Sequence, residues 1–409
     1  MAGRGARGTA RIGGDVAPGY GKIADVFRRN FGNENEVGAA VCVYRDDVKV
    51  VDLWGGYRDA AAQKPWQEDT LINIFSSTKG ISAITFAVAV SQGLIAYDAP
   101  VADYWPEFAQ ASKGSITVRQ LLSHQAGLPC IDVPLTLDDL KDQEKLSSAL
   151  ASQRPVWTPG TRQGYHGFTI GWYESEIIRH ADSQGRSLGK FLAEEVAGPN
   201  NLEIYIGLPP SVDRNRVADL VTWPPAKMLL HVDKIPLALI PAMLNPRSLS
   251  WRAMRNPRGI GEPAVFNSEK IRAAELPAVN GICTARAVAA LYGAAATGGA
   301  GLGITPPVFD ALTAAPAIPS GGAKDMILQI PTRYLLGFSR PFAGFRFGSS
   351  DRAFGAPGAG GSFAFADPDT GVGFTYAMNG MGFHRWSDPR ELALRQALMC
   401  DILDARPQT

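Results

Sequence analysis

The chain has 409 residues, 45% of them hydrophobic, and Lys+Arg 40 against Asp+Glu 39 leaves a formal net charge of +1. A chain of this length buries a large core, in two lobes or in one large domain with insertions, which excludes a disordered state. Near-neutral charge with no recurring basic block argues against nucleic acid and anionic membranes as partners, and no apolar run reaches the length of a bilayer span, so a small neutral molecule is the expected partner.

The chain opens on MAGRGARGTARIGG, a Gly/Arg-rich stretch followed by no apolar segment of the signal-peptide kind. A flexible tail over residues 1–19 and a cytoplasmic location are the resulting expectations. Next, VGAAVCVYRDDVKVVDLWGG holds two β-rich runs around Arg45-Asp46-Asp47, the pattern of an antiparallel hairpin. A second hairpin is expected near the other end, where SFAFAD and GVGFTYAMN flank Pro368-Asp369-Thr370-Gly371. Hairpins at opposite ends imply one antiparallel sheet built from both, with the middle of the chain inserted as a separate lobe.

After the first hairpin, LINIFSSTKGISAITFAVAVSQG combines a short β-like run, Leu71 to Phe75, with a helix opening on S-x-x-K at Ser76 and Lys79. Residues i and i+3 are neighbours on a helix, so the lysine amine is expected beside the serine hydroxyl. A serine hydroxyl is a weak nucleophile at neutral pH, and a lysine shielded from water can accept its proton or hold a second base in its anionic form. The spacing also arises by chance, and Lys79 as an ordinary helix lysine stays open on this evidence alone.

Farther on, FTIGWYESEIIRHADSQ places Ile170, Tyr173, Ile177, Ile178 and Ala181 at helical spacing. It leads into GRSLGKF, which is formally both G-x-S-x-G and S-x-x-K through Ser187 and Lys190. A nucleophile elbow needs a strand before its serine, and here an amphipathic helix precedes it. Ser187 is therefore expected to cap the next helix. Residues 209–263 are rich in Pro, Trp and Met and irregular in pattern, and either cover a substrate pocket or only pack against the lobe. The expected division is an α/β domain over 20–98 and 275–409, and a mostly helical domain over 99–274. Cys42, Cys130, Cys283 and Cys400 lack metal-ligand or redox spacing and read as four isolated buried thiols.

Taken in order, FSSTKG, VRQLLSHQAGLP, WTPGTRQGYHGFTIGW and FGAPGAGGSFAFADPDTGVGF resemble the signatures of the serine β-lactamase and DD-peptidase superfamily. Within it the pattern is similar to the class C-like carboxylesterases called family VIII, over about residues 36 to 400. The resemblance implies an α+β fold, an αβα sandwich with an antiparallel sheet and an inserted helical lobe. It also implies Ser76 as nucleophile with Lys79, and Tyr165 as the tyrosine after the P-G-T turn, a proton carrier activated by the lysine charge.

In the same way the third signature falls on Ala356-Pro357-Gly358, with the N–H groups of Ser76 and Ala359 as oxyanion donors and Pro357, Gly358, Gly360 and His166 lining the substrate, although a neutral structural histidine is the safer reading of His166. Gly358 would let substrate approach the backbone. His124 is expected to order a loop by hydrogen bonding, and Asn280-Gly281 to form a turn before a late helix. Two departures tilt the expectation from amides toward esters. Alanine stands at 356 where a basic or polar residue is usual, and Tyr165-His166-Gly167 lacks the asparagine of Y-x-N.

The implied activity is hydrolysis of short-chain carboxylic esters through an acyl-serine, with no metal or organic cofactor. Three alternatives stay open: an acyltransferase or weak β-lactamase on the same fold; an α/β-hydrolase using Ser187 with His384 and Asp351 or Asp367; and a binding protein without catalysis.

Overall fold

A computed structural model describes residues 11–33, 36–223 and 239–409. The strands, in chain order, are β1 (Ile12–Val16), β2 (Gly38–Arg45), β3 (Val48–Asp59), β4 (Lys64–Pro65), β5 (Ile72–Asn73), β6 (Ile204–Ile206), β7 (Gly281–Cys283), β8 (Tyr334–Leu335), β9 (Phe338–Ser339), β10 (Phe354–Pro357), β11 (Phe363–Asp367) and β12 (Val372–Met378). Nine of them form one sheet in the order β1-β3-β2-β12-β11-β10-β9-β8, with β4 added to β3, and β5-β7-β6 form a second, smaller sheet. Every pairing between these strands is antiparallel.

Both expected hairpins are present, and they join side by side. Asp46 and Asp47 make a two-residue turn with both φ angles positive, the geometry whose twist matches a hairpin. β2 then pairs with β12 from Ala39↔Met378 to Arg45↔Val372, closing the two ends of the chain into one sheet.

Period-two alternation sorts the side chains of this sheet to its two faces. Val41, Val43, Phe363, Phe365, Phe374 and Tyr376 pack with Phe27 of the Gly21–Asn33 helix and Leu394 of the Pro389–Gln396 helix. The opposite residues Ala40, Ala364, Ala366 and Ala377 are small, and against them lies the Ala285–Ala296 helix with Val288, Leu291 and Tyr292. A Cβ added to Gly373 would stand 2.2 Å from the Gly293 backbone nitrogen, so glycine lets helix and strand meet. Helices on both faces of an antiparallel sheet give the αβα sandwich that the four signatures implied.

Two expectations need correction. Ile12–Val16, inside the segment read as a tail, pairs with β3 from Ile12↔Gly55 to Val16↔Val51. Its glycines hid it, because Gly13 and Gly14 supply no alternation, yet they are required: Cβ atoms there would meet the Trp54 ring and, at 1.9 Å, the Asp52 carbonyl. Cys42, Cys130 and Cys283 are buried free thiols, but Cys400 is partly exposed.

Candidate active site

The Thr78–Ser91 helix packs against the Thr169–Ala181 and Ala285–Ala296 helices and β10, with every residue from Thr78 to Ala89 buried. Its approach is a tight turn, Phe75–Ser77, directly after β5. Phe75 is held at φ +47°, a left-handed conformation that is strained for a bulky side chain. Its N–H donates to Asn73 Oδ1 at 2.9 Å, and its carbonyl accepts from Thr78 Oγ1 at 2.5 Å. Those two bonds fix the turn that presents Ser76 to an adjoining cavity of about 960 Å³.

Lys79 is 3% exposed. Its ammonium donates to Ser76 Oγ at 3.2 Å, to the Gly167 carbonyl at 2.7 Å and to the Ala278 carbonyl at 3.0 Å. All three donors are thus used, and an ordinary exposed helix lysine is ruled out. The same ammonium stands 4.7 Å from the centre of the Tyr165 ring, facing its π surface. Tyr165, Ser76 and Lys79 line one cavity.

Tyr165 is positioned by a residue that no sequence signature marks. Asp325 is fully buried and accepts the Tyr165 N–H at 3.0 Å, the Tyr334 hydroxyl at 2.8 Å, and the N–H groups of Ile327 and Leu328 at 2.8 Å each. Burial pushes its carboxyl above the usual range, and these donors oppose the shift. Tyr334, stacked on Tyr165 at 6.2 Å and edge-on to His124 at 4.4 Å, completes the wall. The only local signal for Asp325 is its own turn, in which it bonds residues two and three positions ahead.

The end of β10 supplies the opposite side. Ala356, Pro357, Ala359 and Gly360 line the cavity. Among the described residues, neither the Ser76 N–H nor the Ala359 N–H is spent on a backbone carbonyl. Gly358 has a different role from the one expected. A Cβ there would stand 2.4 Å from the Ile74 carbonyl and 2.1 Å from Ser362 Oγ, so this glycine permits contact between β10 and the turn before Ser76, not the approach of substrate.

His166 does not line this cavity, against its substrate-lining reading and in keeping with the structural one. It is fully buried, and its Nε2 accepts from the Leu128 N–H at 3.1 Å while Nδ1 bonds the Gly164 carbonyl at 2.7 Å. Burial, with the Lys79 charge adding to it, pushes its imidazole down to about 3, so it is a neutral structural ring behind the site. His124 accepts the His166 N–H at 3.1 Å through Nδ1, which fits the loop-ordering role expected of it.

Residues 224–238 of the irregular apolar segment lie outside the described residues. On either side of them Trp223, Leu239, Met243, Met254, Ile260 and Pro263 line the cavity, so the segment does reach the pocket.

Ser187 follows the Thr169–Ala181 helix and caps the next one, accepting the Lys190 N–H at 3.3 Å and donating to Glu275 Oε1 at 2.9 Å. Asp351 is paired with Arg333 and Arg406, Asp367 accepts from Ser349 and Thr370, and His384 lines the Ser76 cavity. With an antiparallel sheet and no strand before its serine, the α/β-hydrolase alternative is overturned.

The β-lactamase family model matches residues 23–398. Over 370 residues the chain is 32% identical to Esterase/beta-lactamase LipL of Mycobacterium tuberculosis, covering 90% of this chain and 83% of that protein. Among solved structures it is similar to a family VIII carboxylesterase, at 38% identity and TM-score 0.82 over 95% of this chain and 98% of that one. A penicillin-binding protein homologue from Caulobacter crescentus follows at 36% identity and TM-score 0.81, with the same coverage.

Proposed function

Because this chain belongs to the β-lactamase family, we propose that it is a serine hydrolase of carboxylic esters, working through an acyl-enzyme on Ser76. The observation that carries this reading is the 3.2 Å hydrogen bond from the buried Lys79 ammonium to Ser76 Oγ, at the wall of a large and mostly apolar cavity.

In the proposed reaction Ser76 Oγ attacks the ester carbonyl carbon as its proton passes to the Tyr165 oxygen, which the Lys79 charge holds ready as a base. The oxyanion formed is accepted by the N–H groups of Ser76 and Ala359, which stand ready without reorganisation. Collapse of the tetrahedral intermediate breaks the bond to the alkoxy oxygen, which leaves as alcohol with the returned proton. Water then attacks the acyl-serine carbonyl by the same route, freeing the acid and restoring the serine hydroxyl.

Esters are favoured over β-lactams by what the pocket lacks. Ala356 offers a methyl group where a cation or proton relay would engage the carboxylate of a β-lactam, and position 167 is glycine, with no side-chain amide to pair with an amide substrate. The family VIII carboxylesterase supports the same choice, while the name of Esterase/beta-lactamase LipL covers both activities.

The test is hydrolysis of p-nitrophenyl butyrate by the wild type and Ser76→Ala, with an active-site phosphonate mapped by peptide mass. The reading expects loss of turnover in Ser76→Ala and label on Ser76 alone. Full activity in Ser76→Ala, or label elsewhere, overturns it. A chromogenic cephalosporin and a competing alcohol in the same assay separate β-lactamase and acyltransferase activities from simple hydrolysis.

A further inference from the structure

Behind the wall of the cavity stands a carboxyl that the reaction above does not use. Glu174, on the Thr169–Ala181 helix, is 0% exposed, and among the described residues neither of its oxygens has a hydrogen-bond partner. Its place can be read from Gly337, which lines the cavity. A Cβ on Gly337 would stand 2.8 Å from Ala83 Cβ and 3.4 Å from Glu174 Oε1. Ala83 follows Lys79 by one helical turn, so the carboxyl lies about one turn below the lysine, separated from the cavity by the glycine backbone.

An unpaired buried carboxyl is costly, and an apolar side chain of the same size would fill this space without that cost. Packing therefore does not explain it. What Glu174 adds is charge, and Lys79 is the one charged group among the described residues that bears on it. Burial pushes the Glu174 carboxyl up to about 8, and the Lys79 charge opposes the shift. The remaining titratable group facing it is Tyr97, whose hydroxyl is also buried without a partner and is pushed up by burial and by the Glu174 charge. Lys79, for its part, donates only to a hydroxyl and two carbonyls, all neutral. His124 and His166 both feel the Lys79 charge and are held neutral by burial.

We propose that Glu174 is a positioning residue for the reaction, a buried carboxyl whose ionisation sets how strongly Lys79 holds the ammonium charge beside Ser76 and Tyr165. This rests on the role given to Lys79 above. The Lys79 ammonium donates to Ser76 Oγ and faces the Tyr165 ring. An ionised Glu174 favours that ammonium, a protonated one does not, and the two groups titrate as a coupled pair.

Glu174→Gln keeps the shape and removes the charge. The ionisation of Lys79 is followed by NMR on protein carrying lysine labelled with ¹³C at Cε, the signal being assigned by its loss in Lys79→Met. The pH dependence of kcat/KM for p-nitrophenyl butyrate is measured in parallel. The expected result is a Lys79 midpoint moved to lower pH by on the order of one unit, with the matching limb of the profile and little change in KM. A midpoint within about 0.2 unit of wild type overturns the proposal, whatever happens to stability. Glu174→Met, which fills the same volume without charge, takes the place of the amide if that variant does not fold, and the same shift is expected. The NMR readout needs no turnover, so an enzyme inactive on esters defeats the functional reading alone and leaves the coupling to be judged directly.

Discussion

Gly358 and the Ile74 carbonyl are so close that a Cβ on the glycine would stand 2.4 Å from that oxygen. The contact ties the end of β10, which carries the Ala359 N–H, to the turn that carries Ser76. Gly358→Ala is expected to push the two apart, lowering kcat by at least about tenfold and stability by about 1–3 kcal/mol. Kinetics on a p-nitrophenyl ester with a parallel thermal melt check this. A loss of stability with unchanged kcat would dissociate the contact from the oxyanion donors.

Ser187→Ala should cost stability and spare activity. The substitution removes an N-cap and leaves the half-buried Glu275 carboxyl without its hydroxyl donor. A destabilisation of about 1–2 kcal/mol in denaturant unfolding is expected, with kcat/KM within about twofold of wild type.

Acid should weaken the fold through His124 and His166. Both imidazoles are pushed down by burial, His166 to about 3. A depressed histidine contributes stability that is fully present above its unfolded value near 6.5 and is lost as pH falls toward its folded value. For His166 the loss at pH 5 is about 2 kcal/mol. His166→Gln should flatten the fall of unfolding free energy between pH 6.5 and about 4, as measured by urea titration at several pH values.

Glu174 acts in the opposite direction. Its carboxyl is raised from 4.5 to about 8, so its contribution is present below 4.5 and is lost as pH rises through 8. The stability difference between Glu174→Gln and wild type should therefore grow in favour of the variant across that interval, by on the order of 4 kcal/mol, and level off above it. A difference independent of pH would contradict the raised carboxyl.

Met254 borders the cavity, and a Cβ on Gly167, the residue whose carbonyl holds Lys79, would stand 3.3 Å from its sulfur. Met254→Ala should enlarge the pocket beside the site. Relative kcat/KM across p-nitrophenyl esters of increasing acyl length is expected to shift toward longer chains by about tenfold. An unaltered length profile would mean that the acyl chain lies elsewhere.

What was legible in the sequence was what depends on near neighbours. The hairpins followed from alternation around polar turns, the Ser187 cap from a serine before an apolar helix, and the Ser76–Lys79 contact from i,i+3 spacing. Residues whose meaning comes from distant packing were not legible. Asp325 acts on Tyr165 across 160 residues, and Glu174 gains its setting from Lys79 and the Gly337 wall. The structural reading of His166 holds, whereas its reading as a substrate-lining residue does not, because the ring turns back to Leu128 and Gly164. Gly358 was read correctly as a position that must lack a side chain, but for the wrong neighbour. Ile12–Val16 was missed because its glycines serve the chain next to them and carry no pattern of their own.

The pairing of β2 with β12 bears on how this protein is made. Ser76 and Lys79 leave the ribosome before β10, the strand that leads to Ala359, and β10 is held by β11, which reaches β2 only through β12, ending at Met378. Because sheet closure waits for such long-range partners, the Ser76 turn is made well before the strands that bring Ala359 to it. On the proposed function, activity is expected only once β12 has joined β2.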